Sequence, residues 1–131
     1  MIDRTELRKI AQERLKDAEA LLKAGRYDGA IYLGGYVVEI GLKSRICKVL
    51  KWKNFPQTRG EFQSFQSFKT HDLDVLLSLS GAEDKIKTRY FAEWSAVATW
   101  DPEARYNPIG SATQTDAELL IEAARKLLSA L

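Results

Sequence analysis

The sequence is poor in the residues that build disulfide-bonded or metal-bound folds. Its 131 residues include one cysteine, Cys47, and one histidine, His71. A single cysteine excludes an intrachain disulfide and is typical of proteins in a reducing compartment. One histidine with one cysteine cannot supply the nitrogen and sulfur cluster that zinc prefers, so no metal site is predicted. We expect Cys47 to be a buried, unreactive thiol.

Long apolar runs are also missing. No stretch approaches the roughly 20 apolar residues that a membrane helix needs. Residues 1–16 are charged throughout and lack the apolar core of a signal peptide. No phosphate-binding glycine loop is present, because Gly34 and Gly35 do not belong to a G-x-x-x-x-G-K pattern. We therefore expect a cytoplasmic protein with no membrane contact and no cofactor.

The composition that remains predicts one globular domain, residues 1–131. Apolar residues make up 45% and charged residues 29% of the chain. Apolar positions recur at helical spacing in several segments, which predicts an all-α fold. The expected architecture is an antiparallel bundle of about five helices, with two long helices forming the core hairpin. The predicted helices cover residues 3–23, about 27–50, 72–79, about 82–99 and 115–130.

The second helix is apolar almost all round, so we expect it at the bundle centre or at a subunit interface. A strand at residues 30–38 is the alternative, but the charges that follow favour a helix. Its glycines weaken it, so close packing by a neighbour is expected to compensate. In the last helix, Thr115 and Glu118 match a capping box, and Leu119 is expected to face inward. Residues 51–70 and 101–114 are predicted loops.

Charge is unevenly distributed along the chain. The net charge is +2, yet residues 40–70 carry +6 and the rest carries −4. Lysine and arginine interleaved with an aromatic residue suit single-stranded nucleic acid. The alternative is a solvated helix end whose lysines favour the helix C-terminus. The candidate nucleic-acid contacts are Arg45, Lys48, Lys51, Trp52 and Lys53.

Three short motifs occur in order along the chain. Residues 14–43, RLKDAEALLKAGRYDGAIYLGGYVVEIGLK, include an E-x-x-x-K pair formed by Glu39 and Lys43. His71-Asp72-Leu73 is followed by Leu76, and Ala104-Arg105-Tyr106 is followed by Pro108. Taken in order, these motifs resemble the E-x-x-x-K pair, the H-D-L-x-x-L element and, from one branch, the A-R-Y-P element before the last helix of the HEPN family. The resemblance extends over nearly the whole chain and implies a helical bundle.

One departure from the family changes what the resemblance implies. Its ribonucleases use an arginine followed four to six residues later by histidine, but Ser64, Phe65 and Gln66 precede His71 at those distances. The resemblance therefore implies a non-catalytic interaction or nucleotide-binding module. The implied partners are a second copy in a homodimer, a minimal nucleotidyltransferase in a toxin–antitoxin-like system, and a nucleotide or RNA.

Five residues are the candidate ligand-binding or partner-binding set. Arg105 and Tyr106 lie in a predicted loop, where a guanidinium can clamp phosphate and a phenol ring can stack on a base. His71, Glu39 and Lys43 complete the set, although an i, i+4 pair is often an ordinary helix contact and a histidine often a packing residue. Two alternatives stay open: a ribonuclease toxin with an atypical site, and an RNA-binding module that uses the basic region 43–69.

Overall fold

The computed structural model describes residues 1–131 and confirms an all-α fold. It contains six α-helices, two 3₁₀ helices and one pair of two-residue strands. The strands are β1 (Ile2–Asp3) and β2 (Asn54–Phe55), and the 3₁₀ helices are Gln66–Phe68 and Pro102–Tyr106. The α-helices are α1 (Arg4–Lys23), α2 (Tyr27–Val49), α3 (Leu73–Leu79), α4 (Glu83–Arg89), α5 (Phe91–Val97) and α6 (Gln114–Ala130).

Helices α1 and α2 form a hairpin with local signals at both ends of α1. The Asp3 carboxylate accepts a hydrogen bond of 2.8 Å from the Thr5 amide and caps α1. At its other end the chain turns through Gly25, whose φ of +75° is a conformation that favours glycine. The short connection places α2 directly against α1, and their mutual contact is the most extensive in the molecule.

Helix α2 lies at the centre of the bundle, because its glycines allow close approach. A Cβ atom on Gly35 would stand 2.0 Å from the indole of Trp100, and one on Gly34 would stand 2.5 Å from Leu120 of α6. The neighbours therefore occupy the space that a larger side chain would need. The prediction that close packing compensates for these glycines is confirmed, and the packing is within one chain.

The predicted fourth helix, residues 82–99, is wrong as a single element. The chain breaks at Tyr90, whose φ of −127° and ψ of 34° are not helical, so α4 and α5 are separate. The partly buried Tyr90 side chain packs against the main core. No proline or glycine marks the break, so packing of this side chain is the physical reason we assign to it. The bundle consequently has six α-helices instead of about five.

The predicted start of the last helix is also wrong. Thr113, not Thr115, caps α6, and the reciprocal partner in the capping box is Asp116, not Glu118. Ala112, the residue before the cap, is held in place by α2, because the Asp28 carboxylate accepts a hydrogen bond of 3.0 Å from the Ala112 amide. Leu119 was expected to face inward, but 60% of it is exposed because the helix turns its other leucines to the core.

Two further features complete the fold. Strand β1 pairs with β2 in antiparallel register, with Ile2 opposite Phe55, and so ties the loop after α2 to the start of α1. The Cys47 side chain is fully buried, and burial raises the pKa of its thiol to about 11, which confirms the prediction of a buried residue. None of the helices combines the length and hydropathy that spanning a membrane would require.

Candidate functional site

Four polar or aromatic residues lie on one face of α2. Tyr32, Tyr36, Glu39 and Lys43 follow one another at intervals of four, three and four residues, which is the spacing of neighbours along a helix surface. We call these four residues the α2 polar face. Polar residues also occur near the two ends of α2, but the buried residues between them are mostly apolar and form the core. In the middle of the central helix, this face is therefore the part that can hold polar ligand groups.

Glu39 is the buried centre of the α2 polar face. Only 3% of the residue is exposed, and its two carboxylate oxygens each have a partner. Oε2 accepts a hydrogen bond of 3.2 Å from Lys43 Nζ, and Oε1 lies 2.9 Å from His71 Nδ1. Burial of a carboxylate is costly unless it is paired, so these two partners are what make Glu39 tolerable inside the fold.

His71 reaches Glu39 because of the turn that precedes α3. Asp72 caps α3 by accepting hydrogen bonds from the amides of Asp74 and Val75, at 3.0 and 3.2 Å. His71 is the residue before that cap, and 61% of its side chain is exposed. An ionised carboxylate only accepts hydrogen bonds, so the contact with Glu39 places a proton on Nδ1. Nε2 is then the ring nitrogen left for an external partner.

The aromatic half of the α2 polar face is held by edge-to-face contacts. The ring of Tyr36 lies 5.3 Å from that of Tyr32 and 4.9 Å from that of Trp100, centroid to centroid. The pKa of Tyr36 is raised to about 12, first by burial and to a smaller extent by the nearby Tyr32 phenol and the Glu39 charge. Tyr36 therefore keeps its phenol proton and can donate a hydrogen bond at neutral pH.

Arg105 lies beside the tyrosine end of this face. Its guanidinium stands 4.7 Å from the ring centroid of Tyr106, a cation–π arrangement in which Tyr106 is 71% exposed. The pKa of Arg105 is raised above its usual value, first by the Tyr106 phenol and to a smaller extent by that of Tyr32. Arg105 and Tyr32 line one side of an open cleft of about 470 Å³. The cleft therefore joins the loop to the α2 polar face.

The loop that carries Arg105 is anchored at both ends. At its start, Asp101 caps the second 3₁₀ helix by accepting a hydrogen bond of 2.7 Å from the Glu103 amide. At its end, the two carboxylate oxygens of Asp28 accept hydrogen bonds from the amides of Gly110 and Ala112, at 2.6 and 3.0 Å. These bonds lower the pKa of Asp28, the one from Gly110 most. Asp28, on the first turn of α2, thus fixes the loop relative to that helix.

The structure gathers the five predicted ligand-binding or partner-binding residues along one helix without joining them all. Glu39, Lys43 and His71 form one cluster, whereas Arg105 and Tyr106 form another. Tyr32 and Glu39, which mark the two clusters, are seven residues apart, or about 10 Å along the helix axis. No hydrogen bond or ion pair connects His71 to Arg105. His71 and Arg105 therefore have no direct polar contact within one chain.

The predicted nucleic-acid contacts are divided between two cavities. Arg45 and Lys48 line one of about 620 Å³ beside the start of α1. Lys51, Trp52 and Lys53 line another of about 350 Å³. Trp52 packs against the rings of Phe55, Phe65 and Phe68, at 6.3, 5.0 and 4.9 Å. The indole is thus already engaged by three side chains of its own chain, and the five residues do not make one surface.

Sequence reasoning missed Tyr32, Tyr36 and Asp28. For the tyrosines a signal existed, since they continue the spacing of Glu39 and Lys43 toward the start of an otherwise apolar helix. For Asp28 none existed, because its partners Gly110 and Ala112 are more than 80 residues away in sequence.

Comparison with known proteins gives no assignment. No family model matches the chain, and no curated protein or solved structure is similar enough to count as a match. No group of three or more histidine, cysteine, aspartate or glutamate side chains is arranged to hold a metal ion. What the α2 polar face and its neighbours offer is a phenol donor, an imidazole, a guanidinium and an exposed aromatic ring.

Proposed function

We propose that this chain is a non-catalytic, HEPN-like module that binds a nucleotide on the α2 polar face. One observation carries the proposal: residues from two distant loops, His71 and Arg105, both approach the face of α2 that holds Glu39. Segments predicted separately as candidate sites thus contribute to one elongated surface. A ligand that uses the whole surface has to be extended, with different groups at its two ends.

A nucleotide has the groups that this surface can recognise. Arg105 can hold a phosphate with two parallel hydrogen bonds, and the exposed ring of Tyr106 can stack on a base. The Tyr36 phenol can donate to a ribose or base acceptor. At the other end, the free Nε2 of His71 can contact a second polar group, while Glu39 and Lys43 hold the imidazole in position.

The resemblance supplies the biological setting of the proposal. It implies a homodimer that works with a minimal nucleotidyltransferase in a two-component, toxin–antitoxin-like system, and the sequence itself predicts a cytoplasmic location. A non-catalytic role is supported by the missing arginine–histidine spacing before His71 and by the absence of contact between His71 and Arg105. In this setting the module presents a nucleotide or RNA to its partner.

The test is a titration of the protein with adenosine monophosphate, the simplest probe with one base and one phosphate. We expect Arg105→Ala to weaken binding by about 1.5–3 kcal/mol, because one charge-assisted phosphate contact is lost. The melting temperature should stay nearly unchanged, since Arg105 makes no ion pair within the protein. The matched control is Arg89→Ala, which removes an exposed arginine that lines none of the cavities described above.

Two results would contradict this proposal. If Arg105→Ala lowers the melting temperature by several degrees and leaves binding intact, Arg105 is part of the scaffold. If the purified protein cleaves RNA and His71→Ala abolishes the cleavage, the chain is a ribonuclease toxin with an atypical site.

A further inference from the structure

A second concave surface lies where four helices meet, at residues that the α2 polar face does not include. It has a volume of about 620 Å³ and is formed by the start of α1, the end of α2, α4 and the end of α6. Five cationic side chains and three hydroxyl groups line it, with no acidic side chain among the lining residues. We call it the basic pocket; its polar lining residues are Arg4, Arg8, Arg45, Lys48, Lys85, Thr5, Ser44 and Ser129.

The five cations of the basic pocket stand together in one concavity without an acidic side chain among them. Elsewhere, Arg125 pairs with Glu122, and Lys126 lies 3.7 Å from Glu93. None of the five pocket cations forms an ion pair with an acidic side chain. In a chain whose net charge is only +2, five unpaired positive charges in one concavity are a concentration that repels itself and attracts anions.

Part of this arrangement has a structural role. Lys85 Nζ donates a hydrogen bond of 2.9 Å to the Ala130 carbonyl, and Arg45 Nη1 donates one of 3.4 Å to the main-chain oxygen of Leu131, the last residue of the sequence. Both interactions satisfy main-chain oxygens at the end of α6, where positive charge is favourable. This role does not extend to Arg4, Arg8 and Lys48, whose side chains make no hydrogen bond within the protein.

The donors of the basic pocket are also far from saturated. A guanidinium has five N–H donors, and the protein uses one of those on Arg45. Arg45 Nε is buried with no acceptor, which is unusual for a buried polar atom. Arg4 and Arg8 use none of their guanidinium N–H donors within the protein. The pocket therefore offers more donors than the protein itself can use.

We propose that the basic pocket binds a compact chain of phosphates, either free polyphosphate or the triphosphate group of a larger molecule. The lining contains no aromatic ring, so nothing in it recognises a base by stacking. Clustered arginines with lysines suit several adjacent phosphate groups, since arginine binds phosphate oxygens in a bidentate manner. A concave pocket favours adjacent phosphates over an extended nucleic-acid backbone, whose phosphates are spaced along a strand.

Inorganic tripolyphosphate is the probe for this proposal, measured by isothermal titration calorimetry at low and at physiological salt. We expect binding that weakens as salt rises, because the contacts are electrostatic. Arg8→Ala and Lys48→Ala should each weaken binding about tenfold, the effect of losing one charge-assisted contact. Arg8→Lys keeps the charge but not the bidentate geometry, so this variant should bind tripolyphosphate more weakly than the wild type and more tightly than Arg8→Ala.

The controls separate this site from the α2 polar face and separate the two phosphate sources. Arg89→Ala and Arg105→Ala should leave tripolyphosphate affinity within twofold of wild type. Adenosine triphosphate that competes with tripolyphosphate shows that a nucleotide can supply the group, and failure to compete indicates free polyphosphate. Either result supports the binding of a phosphate chain in the basic pocket.

Three results would overturn the proposal. They are no tripolyphosphate binding at low salt, an equal loss of binding in Arg89→Ala and Arg8→Ala, and tighter binding of single-stranded RNA that lacks a terminal phosphate. The last would indicate recognition of a nucleic-acid backbone. A failed adenosine monophosphate titration would leave this proposal unaffected, because the probes and variants differ.

Discussion

The α2 polar face and the basic pocket use charge in opposite ways. On the α2 polar face, the charge of Glu39 is buried, compensated by Lys43 and hydrogen-bonded to His71. In the basic pocket, five charges of one sign stand together without an acidic partner. A compensated, buried cluster fixes the position of side chains, whereas an uncompensated one attracts a counter-charge. The comparison indicates that the first surface provides geometry and the second provides electrostatic attraction.

The largest effect is expected from replacing Glu39, which tests whether the α2 polar face depends on a compensated, buried charge. The Glu39→Ala variant leaves the mostly buried Lys43 without its partner, and losing one member of a buried pair costs about 3–5 kcal/mol. We expect the free energy of unfolding, measured by urea denaturation, to fall by about 3 kcal/mol. The control is Glu13→Ala, which breaks an exposed pair with Lys16 of the same chemistry.

The exposed pair should matter far less, so Glu13→Ala should change the free energy of unfolding by no more than about 0.5 kcal/mol. Equal effects of the two variants would mean that burial does not distinguish Glu39. The claim that the α2 polar face depends on a buried, compensated charge would then be wrong.

A smaller effect concerns the proton of Tyr36. Its pKa in the folded protein, about 12, is above the value of 10.0 expected for an unperturbed tyrosine. The native state therefore binds this proton more tightly, and the resulting stability is fully present below pH 10 and is lost as pH rises from about 10 through 12. Phenolate absorbance of the wild-type protein minus that of Tyr36→Phe should show ionisation near pH 12.

The Glu39 charge is one cause of this shift, after burial and the Tyr32 phenol. Glu39→Gln should therefore lower the pKa of Tyr36 toward that of an ordinary tyrosine. An unchanged pKa in this variant would show that burial and Tyr32 alone account for the shift, and that the two halves of the α2 polar face are electrostatically independent.

Much of the fold could be predicted from the sequence because its signals are local. The apolar spacing in α1, α2 and α6 and the turn at Gly25 act over a few residues, so the predicted bounds of these helices differ from the observed ones by no more than one residue. The break at Tyr90 could not be predicted in this way, since it depends on packing and not on a proline or glycine. The Thr113 cap was missed because a second threonine in the same short segment, Thr115, offers the same motif.

The two surfaces differ in how far the sequence predicts them. The α2 polar face was partly visible, because Glu39 and Lys43 are one helical turn apart and two motifs pointed to His71 and Arg105. The basic pocket was not visible, although Arg45 and Lys48 were singled out. Its remaining cations, Arg4, Arg8 and Lys85, come from helices far apart in the sequence. Only the packing of α1, α2, α4 and α6 brings them together.

The most direct test of the account is to map both ligands on one amide proton–nitrogen NMR spectrum. Adenosine monophosphate should shift signals of Tyr32, Tyr36, His71 and Arg105. Tripolyphosphate should instead shift signals around the basic pocket, at Arg4, Lys48 and Ser129. Each set should persist when the other ligand is present in excess. A single shared set of shifted signals, or no shift at the α2 polar face, would contradict the assignment of nucleotide binding to that face.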